Sequence, residues 1–350
     1  MKKLSLLALA TISCGLLQAQ PPDDAIIRVT LLGTGVPLLN TAAYVKSGRV
    51  TAGLMIEAGG ERMLFDCGQG VLNRLLQSGG PADNPNAAID KLFISHLHSD
   101  HIGDLASLYS YGWLYRYDVP LRVWGPSGGI NQPVGTKQLM QLLRLAYDTD
   151  FYVRSTLFSI LSFPLTGVEP DGNTWELVPD GVAYSNNGVT VTSFLVDHHP
   201  VGPAFGFKIE YQGKAVVFSG DTTYTDNMVK YGKGADLVIN EAWGYDPDTE
   251  LYPYHCPPEG CLNKIFTGAA PKMAVLTHIA TPPGTTVQDL VARIRAAGYT
   301  GPLTAGLDLM TIDVTASGIR VTPPAANATE QSPESRGSLP AEVRSLRKTN

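Results

Sequence analysis

Four side chains that can bind a transition metal lie within six residues, in the segment His96-Leu97-His98-Ser99-Asp100-His101. Imidazole nitrogens and carboxylates are ligands that Zn²⁺, Mn²⁺ and Fe²⁺ favour. His96 and His98 are two residues apart, so on an extended backbone their side chains can point the same way. Asp100 and His101 lie further round the turn and can reach a second metal. The segment therefore predicts a metal site, and metal-assisted hydrolysis is a reaction that such a site supports.

Five further short motifs lie along the chain, and the last three of them contain candidate ligands. They are Leu32-Gly33-Thr34-Gly35-Val36-Pro37, Phe65-Asp66-Cys67-Gly68-Gln69-Gly70, Val196-Asp197-His198-His199-Pro200, Ser219-Gly220-Asp221-Thr222 and Leu276-Thr277-His278. In this order, together with the histidine segment, they resemble the motifs of the metallo-β-lactamase superfamily. The resemblance is to its ribonuclease Z and arylsulfatase-like branch, and it runs from about Val29 to Val321.

The resemblance implies a centre with two metals, expected to be zinc, with manganese or iron as alternatives. One metal would be bound by His96, His98 and His198, and the other by Asp100, His101 and His278. Asp221 would bridge the two metals, and a hydroxide shared by them would attack the substrate. The neighbouring His199 competes with His198 for one position; the resemblance favours His198 and leaves the role of His199 open.

Candidate catalytic residues follow from the same resemblance. Asp100 would also steer the attacking water. Glu241 would support His255, which would protonate the leaving oxygen, because a nearby carboxylate keeps an imidazole charged and oriented. Cys256 stands where a small hydroxyl residue is usual in the family. Asp66 is expected to hold the histidine loop by hydrogen bonds rather than to touch a metal.

Strand-length apolar runs bounded by glycine-rich turns alternate with stretches of helical periodicity. The expected strands are Ile27–Leu32, Gly53–Ala58, Met63–Asp66, Leu92–Ser95, Val189–Val196, Phe205–Tyr211, Ala215–Ser219, Leu237–Asn240 and Met273–Thr277. The expected helices are Val71–Gln77, Leu105–Trp113, Thr136–Tyr147, Pro258–Phe266 and Thr286–Ala297. Periodicity alone indicates a mixed α and β protein. The resemblance implies the α+β fold of the superfamily, an αββα sandwich of two mixed sheets face to face with helices outside.

The N-terminal segment has the layout of a secretory signal peptide. It carries Lys2-Lys3, an apolar run from Leu4 to Leu17 and the small residue Ala19. The apolar run is too short for a membrane span, and no later segment qualifies as one. We therefore predict that residues 1–19 are removed on export and that the protein works in a periplasm or outside the cell.

Beyond the signal peptide, the chain divides into one large domain and a tail. Residues 323–350 are poor in apolar side chains and rich in Pro, Ser, Asn and charge, which is typical of disorder. Residues 26–322 are long enough for a single hydrolase domain with a substantial core. Cys256 and Cys261 could pair in an oxidising compartment, but their spacing alone leaves the pairing open.

The net charge is −6, and the predicted domain contains no basic block. A nucleic-acid-binding surface usually carries a cationic footprint, so nucleic acid is not an expected partner. The expected partner is a small-molecule ester, and a homodimer stays open. The expected function is a secreted, arylsulfatase-like hydrolase of sulfate esters or phosphodiesters. Alternatives are a ribonuclease Z-like or cyclic-nucleotide phosphodiesterase, a β-lactamase or lactonase, and a metal-binding protein without turnover.

Overall fold

Seven stretches of the chain are described in the computed structural model: residues 24–37, 48–78, 89–116, 119–129, 131–157, 169–245 and 252–325. The signal peptide predicted over residues 1–19 lies outside them, as does most of the tail predicted over residues 323–350. Both stay predictions. Strands and helices are described from Ala25 to Thr322, and the hydrolase domain was predicted over residues 26–322.

The first layer is a mixed sheet with the strand order β15-β14-β1-β2-β3-β4-β5-β6. Pairs from β15 to β3 are antiparallel, and pairs from β3 to β6 are parallel. Parallel neighbours need long connections, which here carry helices. The strands are β1 (Ala25–Gly33), β2 (Gly53–Ala58), β3 (Glu61–Phe65), β4 (Lys91–Phe93), β5 (Arg122–Gly125), β6 (Thr174–Glu176), β14 (Thr311–Thr315) and β15 (Ile319–Thr322).

The second layer is a mixed sheet with the order β13-β12-β11-β10-β9-β8-β7. Its strands are antiparallel from β7 to β10 and parallel from β10 to β13. The strands are β7 (Gly181–Asn186), β8 (Val189–His198), β9 (Val201–Tyr211), β10 (Lys214–Phe218), β11 (Leu237–Trp243), β12 (Met273–Ala280) and β13 (Leu303–Ala305). β11 is buried along its whole length, as a central parallel strand covered on both faces must be.

The described helices are α1 (Val71–Gln77), α2 (Ser99–Ile102), α3 (Leu105–Arg116), α4 (Thr136–Ala146), α5 (Asp148–Leu157), α6 (Asp226–Gly232), α7 (Asn263–Ala269) and α8 (Val287–Ala296). The short α2 lies in the histidine segment, and the other helices cover the outer faces of the two sheets. One apolar cluster lies between the sheets and includes Phe65, Phe93 and Phe207. A second cluster joins the β11 side to α6, α7 and α8, and a third joins the β4 side to α1, α3, α4 and α5.

This arrangement confirms the α+β sandwich expected from the sequence. Both sheets carry apolar side chains on their two faces. One face of each sheet packs against the other sheet and the opposite face packs against helices, which gives the four-layer sandwich. Among the described residues, no helix is long and apolar enough to cross a membrane.

The helix predicted over Pro258–Phe266 is wrong in its first half. Pro258–Leu262 forms a wide turn in which Gly260 has φ 81°, and the regular helix begins only at Asn263. A left-handed residue interrupts the helical hydrogen-bond pattern, so periodicity alone placed the start too early. At α8 the predicted first residue, Thr286, is instead the N-cap and forms a capping box with Asp289.

Candidate metal centre

The candidate ligands lie where neighbouring strands end at one edge of the sandwich. His96 follows β4 and His198 is the last residue of β8. β10, β11 and β12 are parallel neighbours. Asp221 after β10, Glu241 in β11 and His278 in β12 therefore meet at the same edge, on a rigid scaffold that holds their positions.

Asp66, which directly follows β3, holds the histidine loop from behind. Its Oδ1 accepts a hydrogen bond from the Ser95 backbone N–H (2.7 Å), and its Oδ2 accepts one from the Ser95 hydroxyl (2.8 Å). Oδ2 also lies 2.8 Å from His101 Nδ1. With the His101 proton on Nδ1, the lone pair of Nε2 faces the site. Gly68 allows the loop to pack closely, since a Cβ there would lie 2.1 Å from the Asp100 carbonyl oxygen.

The first ligand group consists of three histidines whose ring nitrogens converge. His98 Nδ1 lies 2.9 Å from His96 Nε2 and 3.3 Å from His198 Nε2. His198 Nδ1 donates to the Tyr254 carbonyl (2.8 Å), which leaves Nε2 as the free lone pair. Burial lowers the pKa of His96 well below its usual range. The neutral imidazole is the form that binds a metal.

The second ligand group combines Asp100, His101 and His278. His278 Nε2 is 3.1 Å from Asp100 Oδ2, and His101 Nε2 is 3.6 Å from the same oxygen. His278 has φ 44°, a left-handed conformation that residues other than glycine seldom adopt. Such conformations occur where the surrounding structure enforces them, often at functional sites.

Asp221 lies between the two groups. Its Oδ2 is 4.0 Å from His96 Nε2 and 3.9 Å from His198 Nε2. The same oxygen is 3.4 Å from His278 Nε2, and Oδ1 is 3.3 Å from His101 Nε2. Burial alone would raise the pKa of Asp221, but the neighbouring imidazoles of His278 and His101 outweigh it and lower that pKa well below its usual range. One ionised carboxylate therefore faces both groups.

The buried atoms of these groups fit two divalent cations. His101 Nε2 and Asp221 Oδ1 are both buried without a hydrogen-bond partner. An unpaired buried polar atom costs about 1–3 kcal/mol, and a cation between the two would satisfy both. Three imidazoles form one group, and two imidazoles with carboxylates form the other, which are donor sets that zinc accepts. The structure brings together all the metal ligands that the sequence predicted.

The predicted catalytic pair, Glu241 and His255, lies next to these groups. His255 Nδ1 is 2.9 Å from Glu241 Oε2, and Glu241 Oε1 also accepts from the Thr222 backbone N–H (2.6 Å). Burial opposes protonation of His255, but Glu241 outweighs it and raises the pKa of His255 to about 9. Candidate ligand atoms of His198, Asp221, Glu241 and His255 all lie within 4.8 Å of one another. The His255 imidazole is thus held beside the candidate metal ligands.

Sequence reasoning missed Asp308, a buried residue that supports the site from the opposite side. Its carboxylate accepts from Thr34 N (3.0 Å), Thr34 Oγ1 (2.7 Å) and Val50 N (2.8 Å). The Thr34 carbonyl in turn accepts from the Ile279 N–H (2.8 Å), directly after His278. The Gly-Thr-Gly motif pointed to Thr34, but no local signal marks Asp308.

His199 and the three cysteines at positions 67, 256 and 261 lie outside the candidate ligand groups. His199 is exposed. Cys256 and Cys261 form a disulfide, which settles the pairing that the sequence left open. Cys67 is buried, and burial with the charges of Asp104 and Asp66 raises its pKa well above the usual range. A buried thiol of this kind is a packing residue and not a nucleophile.

A family model for the β-lactamase superfamily domain matches residues 61–279, a range that includes all the candidate ligands and the Glu241–His255 pair. The chain belongs to the metallo-β-lactamase superfamily. The resemblance inferred from the motifs is therefore confirmed.

Among curated members of the superfamily, a protein named ribonuclease Z from Mycobacterium sp. (strain KMS) is 32% identical over 302 residues, which is 83% of this chain and 96% of the relative. The ribonuclease Z of Mycobacterium bovis (strain BCG / Pasteur 1173P2) is 27% identical over 303 residues, 83% of this chain and 99% of the relative. The chain thus spans nearly the full length of these relatives.

Solved structures of superfamily members share the fold at lower identity. The metallo-β-lactamase fold protein YhfI from Bacillus subtilis has a TM-score of 0.58 at 20% identity, covering 81% of this chain and 98% of that chain. The short form of human tRNase Z has a TM-score of 0.54 at 23% identity, covering 82% and 98%. These likenesses support the fold alone.

The ligand assignment predicts a specific change in metal content. After reconstitution with zinc, His96→Ala and His278→Ala are each expected to retain about one zinc per chain where the parent protein retains about two, because each removes a donor from one group only. Elemental analysis of the purified proteins measures this. His199→Ala is the matched control and is expected to keep the parental content. Unchanged content in both ligand variants would contradict the assignment.

Proposed function

We propose that this protein is a hydrolase of phosphodiester bonds that works with two bound divalent cations, most simply zinc. The observation that carries the proposal is the single carboxylate of Asp221, which faces both ligand groups while the Glu241–His255 pair lies beside it. Two metal groups that share a carboxylate suit displacement at a phosphorus centre. The names of the curated relatives, ribonuclease Z, support the same bond type.

Different residues of the chain would bind the cations, orient the ligands and orient the attacking water. His96, His98 and His198 would hold one cation, Asp100, His101 and His278 the other, and Asp221 both. When bound, the cations supply Lewis-acid activation of water and neutralise charge on the phosphoryl group. Asp66 and the Tyr254 carbonyl fix the tautomers of His101 and His198, so that the correct nitrogens face the cations. Asp100 would also orient the attacking water.

The leaving group needs a proton, and His255 is placed to donate it. Its Nδ1–H is held by Glu241, so Nε2 is the nitrogen available to the substrate. As the bond from phosphorus to the leaving oxygen breaks, the Nε2 proton moves to that oxygen. Water adds its OH to phosphorus, and its remaining proton restores His255 over the cycle. Glu241 orients the imidazolium and stabilises its charge throughout.

The choice of substrate differs from the expectation drawn from the sequence. The curated relatives reported above are named ribonuclease Z, which favours the ribonuclease Z-like phosphodiesterase alternative over the arylsulfatase-like expectation. The relatives' names also weaken the exclusion of nucleic acid that was based on the net charge of −6. RNA is therefore a substrate to be tested beside small diesters.

A substrate panel tests the proposal. The zinc-loaded protein is given bis(4-nitrophenyl) phosphate, cyclic nucleotides, a precursor tRNA with a 3′ extension, 4-nitrophenyl sulfate and nitrocefin. We expect turnover of one or more of the phosphodiesters, and no turnover with the His96→Ala variant as a control for contaminating enzymes. Turnover of the sulfate ester or nitrocefin without turnover of any diester would refute the proposal.

We also propose that the protein is exported and works in a periplasm or outside the cell. The layout of residues 1–19 supports this. The disulfide between Cys256 and Cys261 supports it independently, because such bonds persist in oxidising compartments. Mass spectrometry of the protein recovered outside the cytoplasm is expected to find an N-terminus at or near Gln20. A lipid-modified Cys14, or an intact Met1 with all protein in the cytoplasm, would contradict it.

A further inference from the structure

The turn at residues 254–256 contacts a candidate metal ligand and also carries the candidate proton donor. The Tyr254 carbonyl accepts from His198 Nδ1 (2.8 Å) and so orients a metal ligand. His255, the next residue, contacts Glu241 and is the candidate proton donor. A shift of this turn would therefore move a metal ligand and the proton donor together, and the contacts that hold it determine the precision of the site.

Trp243 holds the turn from one side. Its indole ring stacks on the His255 imidazole with ring centroids 4.1 Å apart and an interplanar angle of 7°. Its backbone N–H donates to the Cys256 carbonyl (3.0 Å). Trp243 lies at the end of β11, the same strand that carries Glu241, so the stack and the carboxylate are attached to one rigid element. An aromatic face also stabilises a cationic ring placed over it.

The disulfide between Cys256 and Cys261 holds the turn from the other side. It closes a loop of sequence separation 5, with the two Cα atoms 5.2 Å apart. Both cysteines are buried in the apolar cluster that includes Leu262 and Phe266. Glu259, inside the closed loop, forms an ion pair with Arg293 of α8 (2.8 Å). The loop is thereby joined to the helical layer.

We propose that Trp243 and the Cys256–Cys261 disulfide are the positioning residues of this site. Trp243 fixes the plane of the His255 ring, and the disulfide fixes the backbone that carries both His255 and the Tyr254 carbonyl. Neither takes part in the chemistry itself. The kinetic test of this inference rests on the proposed function, because it needs phosphodiester hydrolysis. A second test measures proton exchange at His255 and needs no activity.

The kinetic test compares Trp243→Leu with Trp243→Phe on phosphodiesters whose leaving groups range from 4-nitrophenol to phenols and alcohols of high pKa. We expect Trp243→Leu to lose about tenfold in kcat on the poorest leaving groups, the scale of one aromatic pair, and little on 4-nitrophenol. Trp243→Phe, which keeps a stacking ring, should recover most of the loss. Trp175→Leu, at an exposed tryptophan of β6, is the matched control. Equal losses along the series would overturn the role of Trp243.

The disulfide test uses the double variant Cys256→Ala/Cys261→Ala. It should show the same selective loss on poor leaving groups and, because the Tyr254 carbonyl loses its position, zinc binding weakened about tenfold. Competition with a zinc chelator measures the affinity. Reduced thermal stability with parental zinc affinity and parental leaving-group dependence would show that the disulfide is only structural. This variant also carries the test if Trp243→Leu does not fold.

The readout without activity is the exchange of the His255 Nδ1 proton with water, followed by NMR on histidine-labelled, zinc-loaded protein. The signal is assigned by its loss in His255→Gln. We expect exchange about tenfold faster in Trp243→Leu than in the parent, and near-parental exchange in Trp243→Phe. Unchanged exchange in Trp243→Leu would overturn the inference even if the protein hydrolyses diesters. Faster exchange in a protein that hydrolyses none would support it and refute only the proposed function.

Discussion

Replacing Asp221 by Asn is expected to lower kcat/KM for a phosphodiester by about 10³-fold, or about 4 kcal/mol, even when zinc is supplied in excess. Asp221 is buried and faces His96, His198, His101 and His278 at 3.3–4.0 Å. A neutral amide cannot neutralise two cations or hold them at a constant separation. Activity measured over a range of zinc concentrations separates lost affinity from lost catalysis.

The control for this substitution is Asp226→Asn, which removes the same charge at an exposed position at the start of α6. It is expected to keep parental activity and zinc content. If Asp221→Asn retains two zinc ions per chain and the parental rate, Asp221 is not a shared ligand and the two groups function independently.

Replacing His255 by Gln is expected to retain both metals and to lose about 10²–10⁴-fold in kcat on substrates with poor leaving groups, the usual contribution of a general acid. The loss should be small for 4-nitrophenolate, which departs without a proton. The geometric reason is that Glu241 holds Nδ1 at 2.9 Å and leaves Nε2 for the substrate. Rates along a series of substituted phenyl diesters measure the effect.

His199→Gln is the matched control, because His199 is an exposed histidine directly after the candidate ligand His198. It should behave like the parent on every substrate in the series. A His255→Gln variant that loses the same factor on all leaving groups would exclude proton donation and reduce His255 to a substrate-positioning role.

Much of the fold follows from local patterns. The predicted strands near Ile27–Leu32, Val189–Val196 and Phe205–Tyr211 are present with shifted ends, because a buried strand must carry apolar side chains along its length. β5, β6, β7, β13, β14 and β15 were not predicted. They are short or carry polar residues, and several lie at sheet edges, where pairing with a neighbour, and not their own composition, decides their conformation.

The candidate ligands were predictable for a different reason. Four of them lie in one short segment. His198 ends β8, Asp221 lies in the turn after β10, and His278 lies near the end of β12, so each is close to the end of an apolar run that the sequence shows. Asp308 and Trp243 gave no such signal. Asp308 supports Thr34 across a sequence separation of 274, and a contact of that kind leaves no periodicity or motif behind.

The sequence by itself predicted the candidate ligands, and through the resemblance of its motifs it predicted the superfamily and the sandwich fold, because these depend on residue types and on spacing within short segments. The resemblance also implied that the ligands divide into two groups with Asp221 between them. Only the tertiary structure gave the distances within and between those groups, and the hydrogen bonds that place a proton on Nδ1 of His101 and His198. It also decided that His255 lies between Glu241 and Trp243 and that Cys256 pairs with Cys261. Each of these depends on distances between side chains from different strands and loops, which exist only after the sheets have packed against each other.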